Sequence, residues 1–146
     1  MKVLVTGAQG QLGWELQRTA PGDVDILACS STDLDITDSE AVEKKCAEWQ
    51  PNLIINAAAY TAVDKAEEES ERAYLVNQDG PWYLGRAAEQ VGARIIHIST
   101  DFIFDGRKSS PYLPDDPSKP TGVYGSSKLA GEKKLLATVR AGHLMI

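Results

Sequence analysis

The chain is 146 residues long, enough for one domain with its own core. Hydrophobic residues make up 42% and charged residues 25%, a globular balance that excludes a disordered segment. The net charge of −6 argues against nucleic acid or an anionic membrane as the main partner, and no apolar run approaches the roughly 20 residues of a membrane helix.

Taken in order, the pattern is strand then helix, repeated. Lys2 to Thr6 (KVLVT) is a short β-branched run closed by glycine and reads as a buried strand. Leu12 to Thr19 follows as a helix, and Val24 to Ala28 (VDILA) as a second strand. After a polar link, Thr37 or Asp38 can cap a helix that runs to about Trp49 and ends before Pro51. Asn52 to Asn56 (NLIIN) is the third strand. The acidic run Glu67 to Glu71 reads as a solvated face. A helix over Glu71 to Val91 carries Gly80-Pro81, expected to kink it or mark its start. Arg94 to Ser99 (RIIHIS) is the fourth strand, and the Pro-, Ser- and Gly-rich stretch from Asp105 to Thr121 is a loop. A last helix begins near Tyr124, and HLMI opens a fifth strand.

Strands that alternate with helices and are continuously apolar imply a parallel sheet covered on both faces. The expected fold class is therefore α/β, a Rossmann-like doubly wound sheet, with residues 1–146 forming a single domain. In such sheets ligands lie at the carboxyl ends of the strands. Cys29 and Cys46 form no CxxC pair and no metal-ligand spacing, so they read as structural thiols. MKVLVTG lacks the longer apolar region of a signal peptide, and a cytoplasmic location is expected.

TGAQGQLG, Thr6 to Gly13, lies between the first strand and the first helix. Gly7 permits the tight turn, Gly10 lets backbone approach a pyrophosphate, and Gly13 allows close helix–strand packing. The helix start then offers N–H groups and partial positive charge to phosphates. A carboxylate for the ribose 2′-OH is missing at the end of the second strand, which reads Ala28, Cys29, Ser30, Ser31. Hydroxyls such as that of Ser30 can donate to a 2′-phosphate, and no adjacent arginine clamps one. NADP(H) is thus expected as the preferred cofactor, with NAD(H) possible. Asp35 can cap the helix that follows; its alternative role, an adenine contact shared with Ile36, is what resemblance to the extended short-chain dehydrogenase/reductase superfamily implies.

Tyr124 and Lys128 stand four apart in VYGSSK and share one helix face. A nearby ammonium stabilises a phenolate, and tyrosine's ordinary pKa of about 10 must fall for proton exchange at neutral pH. Ser99-Thr100, at the end of the fourth strand, offers a hydroxyl to a carbonyl oxygen that gains negative charge; alternation selects Thr100. His97 reads as a strand residue rather than a catalyst.

The segments VTGAQGQLGWEL, NAAAYTAVDKAE, ISTDFIFDG and VYGSSKLAGE, in this order, resemble the dTDP-4-dehydrorhamnose reductases of the extended short-chain dehydrogenase/reductase superfamily. The resemblance implies reduction of the C4 ketone of dTDP-4-dehydro-L-rhamnose to dTDP-L-rhamnose. It places Gly10, Gln11 and Leu12 on the pyrophosphate, with Ala59, Tyr60, Thr61 and Ile98 also on the cofactor. It places Val63, Thr100, Asp101 and Phe102 toward the dTDP-sugar, and gives Asn77 a structural role near the site. Thr100, Tyr124 and Lys128 would be catalytic. Glu15 matches a position on a metal-bound dimer surface in some members, but a lone exposed carboxylate is ordinarily solvated and no metal site is expected. Members of this family run about twice as far, with a C-terminal part that closes over the sugar nucleotide. An incomplete pocket and an open sheet edge that favours self-association are therefore expected. A nucleotide-binding fragment without activity, a regulatory module of the same fold and a sugar-nucleotide epimerase remain as alternatives.

Overall fold

The computed structural model describes residues 1–140 and 143–146. Five strands, β1 (Lys2–Thr6), β2 (Asp25–Cys29), β3 (Leu53–Asn56), β4 (Arg94–His97) and β5 (His143–Met145), form one sheet in the order β2-β1-β3-β4-β5. Every pairing is parallel. The chain moves one way from β1 to β2 and then crosses back to β3, so the topological switch lies between the ends of β1 and β3. Right-handed crossovers put α1 (Gln11–Thr19) on one face of the sheet. The same rule places α2 (Ser39–Trp49), α5 (Gly80–Val91) and α6 (Val123–Thr138) on the other face.

Register builds the core. Leu4 pairs with Ile54 and Ile54 with Ile95, and none of the three is more than 1% exposed. They pack with Val42 and Cys46 of α2, Leu84 and Ala88 of α5, and Leu135 of α6. Each such side chain contributes about 1.5–3 kcal/mol by leaving water. Burial pushes the Cys46 thiol up to about 11, and also raises that of Cys29, as structural thiols require.

Apart from one-residue shifts at element ends, the structure differs from the sequence reading in four places. A short helix, α3 (Val63–Ala66), precedes α4 (Ser70–Tyr74), and a 3₁₀ turn covers Asp101–Ile103; both are too brief to show a hydrophobic period. β4 ends at His97, so Ser99 and Thr100 lie in the loop just beyond it. Gly80-Pro81 opens α5, one of the two expected roles, but without a break in the helical path: α4 passes through a π-helical turn, Leu75–Asp79, directly into α5. A proline in a helix collides with the carbonyl four residues earlier, here that of Asn77, and the wider π turn accommodates it.

Candidate active site

At the switch point the turn after β1 meets the turn after β3. Gly7 has φ +72°, and a Cβ there would lie 2.7 Å from the Ala57 carbonyl, so this position accepts only glycine. A Cβ on Gly13 would overlap the Gly7 carbonyl oxygen, which seats α1 directly on the turn. Gly10 precedes α1 without a side-chain cap, and the first turn holds no acidic residue. The N–H groups of Gln11, Leu12 and Gly13 are therefore open to an anion, with the helix dipole behind them.

These groups border a cleft of about 720 Å³. It brings together Gly7, Gly10, Gln11, Leu12, Ser30, Asp35, Ile36, Ala59, Tyr60 and Thr61. Gly13 lies beneath it, and Ile98, Tyr124 and Lys128 sit outside its lining, farther along the strand ends. At the β2 end Ser30 is tied into a turn. Its hydroxyl donates to Asp33 Oδ2 at 2.5 Å and its backbone N–H donates to the same oxygen at 2.9 Å. Those two bonds hold the Asp33 carboxyl below the usual carboxylate range. A carboxylate does stand at the end of β2, supplied by a turn that the sequence spacing hides, while Ser31 is exposed toward the cleft. Asp35 does not cap α2, a role taken by Asp38; it accepts from the backbone and hydroxyl of Thr37 in an Asx turn at the cleft wall. Arg72, which sequence distance gave no reason to consider, is the cation among the lining residues.

A second set of groups forms a row across the strand ends. Thr6 pairs with Asn56, and Asn56 with His97, so the last residues of β1, β3 and β4 stand side by side. All three are polar ends of apolar strands, which is the sequence signal that could have located the row. The Thr6 hydroxyl donates to Asn56 Oδ1 at 2.7 Å, and Asn56 Nδ2 lies 3.0 Å from His97 Nδ1. His97 Nε2 is 3.4 Å from Lys128 Nζ, which donates to the Ile98 carbonyl at 2.6 Å. Lys128 is 1% exposed. Burial lowers its pKa to about 8, against a smaller upward pull from Glu132, and burial lowers that of His97 to about 3.

Tyr124 lies one turn before Lys128, with its ring edge-on to Phe102 at 5.4 Å. Thr100 is extended (φ −159°), and its hydroxyl accepts from the Phe102 N–H at 3.2 Å, capping the turn that carries Asp101 and Phe102. Ser99 instead donates to Glu132 on α6, so the two neighbouring hydroxyls do face different partners. Val63 begins α3, after the Tyr60–Thr61 turn.

Helix α6 is fixed at three levels. Glu67 Oε1 accepts the Val123 N–H at 2.8 Å, so part of the acidic run is not simply a solvated face but caps this helix. Asn77, 1% exposed, accepts from the Tyr60 N–H and donates to the Tyr60 carbonyl and to Ser127 Oγ. A Cβ on Gly125 would overlap the Phe102 carbonyl, and one on Gly131 would overlap that of Asn77. Close contact at these glycines sets how far Tyr124 and Lys128 stand from the loops they face. Tyr60 donates its hydroxyl to Glu69, and desolvation followed by that carboxylate pushes its phenol up.

Over residues 1–145 the sequence matches the RmlD substrate binding domain. The chain belongs to that family. The RmlD-family chain is 46% identical over 139 residues to dTDP-4-dehydrorhamnose reductase of Escherichia coli strain K12, covering 92% of itself and 46% of that protein. Its fold superimposes on a dTDP-4-dehydrorhamnose reductase of Clostridium acetobutylicum with a TM-score of 0.97 at 44% identity, covering 99% of this chain and 52% of the other. A reductase of the same name from Bacillus anthracis, solved in complex with NADP, gives 0.96 at 36% identity, covering 99% and 51%. The chain thus spans about half the length of the relatives it matches.

Proposed function

We propose that this chain is the cofactor-binding and catalytic half of an NADPH-dependent reductase that converts the C4 ketone of dTDP-4-dehydro-L-rhamnose to dTDP-L-rhamnose. The observation that carries the reading is the placement of Lys128, buried at the strand ends one helical turn from Tyr124 and beside a glycine-walled cleft. The names of the relatives, and the NADP bound to one of them, support it.

The donor set fits a dinucleotide. Gly7, Gly10, Gln11, Leu12 and Gly13 would hold the pyrophosphate. Ser30, Asp35 and Ile36 would flank the adenosine, with Ala59, Tyr60 and Thr61 along the opposite wall. Ile98, Tyr124 and Lys128 would meet the nicotinamide riboside. Bound NADPH supplies a hydride to the C4 carbon; NAD(H) is the weaker alternative. Thr100 would hold the carbonyl oxygen, Tyr124 would give it a proton, and Lys128 would favour loss of that proton from the phenol. Val63, Asp101 and Phe102 would face the sugar. Residues 1–146 act in this reading as a single Rossmann unit in the cytoplasm. No helix among the described residues is long and apolar enough to cross a membrane. Pairing of β5 edges between two copies, aided by exposed Leu144 and Ile146, is the assembly that this sheet favours. A strictly monomeric mass in size-exclusion light scattering, at concentrations on the order of tens of micromolar, would refute it.

The test is a titration with NADPH and NADH followed by fluorescence, then addition of the dTDP-4-keto sugar while reduced-cofactor absorbance is recorded. Oxidation that depends on the sugar supports the reductase. Tight cofactor binding without turnover assigns the chain a binding role only, and no binding by folded protein overturns the reading of the glycine cradle.

A further inference from the structure

The row Thr6–Asn56–His97–Lys128 settles a protonation question. Asn56 Oδ1 receives the Ala58 backbone N–H at 3.1 Å as well as the Thr6 hydroxyl. A backbone N–H can only donate, so that atom is the oxygen and the other is the amide nitrogen. The Asn56 NH₂ faces His97 Nδ1 at 3.0 Å, and Nδ1 must therefore carry a lone pair. The hydrogen-bond network thus assigns His97 as the Nε2–H tautomer, with that N–H directed at Lys128 Nζ.

An N–H aimed at an ammonium is unfavourable, and the same N–H aimed at an amine is a hydrogen bond. We infer that His97 is a positioning residue for Lys128: locked as the Nε2–H tautomer by Thr6 and Asn56, it stabilises the lysine's amine form and lets Lys128 release a proton near neutral pH. Lys128 keeps the Ile98 carbonyl as acceptor in either state. From the surrounding elements, Glu132 on α6 is the titratable group whose charge reaches it, and neutral His97 on β4 faces it with its ring nitrogen. Glu132 pulls toward the ammonium and is itself engaged by Ser99. Burial lowers the lysine pKa to about 8, which brings the amine form within reach of neutral pH before any contribution from His97.

The inference rests on the reductase reading for its use. When Tyr124 gives its proton to the substrate oxygen, a phenolate remains. A proton from Lys128 restores the phenol, the amine left behind accepts the His97 N–H, and solvent water returns the ammonium. His97 touches neither substrate nor cofactor in this scheme; it makes the lysine's proton exchangeable.

The chain contains two histidines, so nitrogen NMR of ring-labelled protein distinguishes them, with His97 identified by its loss in His97→Gln. The expected result is an unprotonated Nδ1 and a protonated Nε2 on His97 from about pH 5 to about pH 9. A Nδ1–H tautomer, or an imidazolium at pH 6, overturns the inference without any variant. His97→Leu removes the N–H that faces Lys128 without adding a charge, and should raise the Lys128 titration midpoint, read from its Cε resonance, by at least about one pH unit. An unmoved or lower midpoint overturns the lysine role. His97→Gln, whose amide can accept from Asn56 and donate to Lys128, should keep the midpoint within about half a unit of the wild type, and a rise as large as that of His97→Leu overturns the role. All readings are taken without cofactor or sugar, so they stand or fall independently of the reductase reading.

Discussion

Removing the Asn77 side chain should loosen the site and the fold together. In Asn77→Ala three hydrogen bonds vanish: from the Tyr60 N–H (2.8 Å), to the Tyr60 carbonyl (3.0 Å) and to Ser127 Oγ (3.0 Å). Tyr60 lies on the cleft wall, where water can replace its two lost partners, so each costs about 0.5–1.5 kcal/mol. Ser127 is fully buried; its hydroxyl still donates to the Tyr124 carbonyl, but its lone pair loses the amide, at about 1–2 kcal/mol. The total is about 3 kcal/mol, a large share of a typical domain's 5–15. In urea denaturation, with a slope of about 2 kcal/mol/M, the midpoint should fall by about 1.5 M. Asn77→Asp keeps the Tyr60 N–H but sets an oxygen against the Tyr60 carbonyl, so it should be no more stable than alanine. A loss under about 1 kcal/mol for alanine, or wild-type stability for aspartate, would show that Asn77 does not hold the Tyr60 turn to α6.

Gly131→Ala should destabilise by about 1–3 kcal/mol in the same urea assay, because the new methyl overlaps the Asn77 carbonyl and α6 must move away; an unchanged midpoint would mean the helix is free to shift. Glu67→Ala removes the carboxylate that caps α6 and should cost about 1 kcal/mol, seen as a melting temperature lower by about 3 °C, with Glu67→Gln recovering part of it. His97 is buried neutral, with its pKa lowered from 6.5 to about 3. Between those values the unfolded chain binds a proton that the folded chain refuses, so stability is full above about pH 6.5 and is lost progressively toward pH 3. Urea midpoints measured from about pH 7 to about pH 4 should decline, and the decline should be shallower in His97→Gln; equal slopes would assign it to the carboxylates instead.

Local sequence decided more of this protein than is usual, because its signals are local. KVLVT, NLIIN and RIIHIS are short apolar runs whose strands need no partner to be recognised, and glycine after β1 has a steric reason that spacing reveals. Tyr124 and Lys128 share a helix face by helical geometry alone. Distance along the chain hid the rest. Asp33 reaches the end of β2 only because the Ser30 turn closes; Arg72 reaches the cleft wall only because α4 packs in place beside α6; Glu67 caps a helix 56 residues later. The π turn at Asn77 follows from Pro81, but its use, presenting one side chain to both Tyr60 and Ser127, needed α6 in place. Parallel register, a property of the assembled sheet, is what set Thr6, Asn56 and His97 in one row and turned a histidine that the sequence marked only as a strand residue into the neighbour of Lys128.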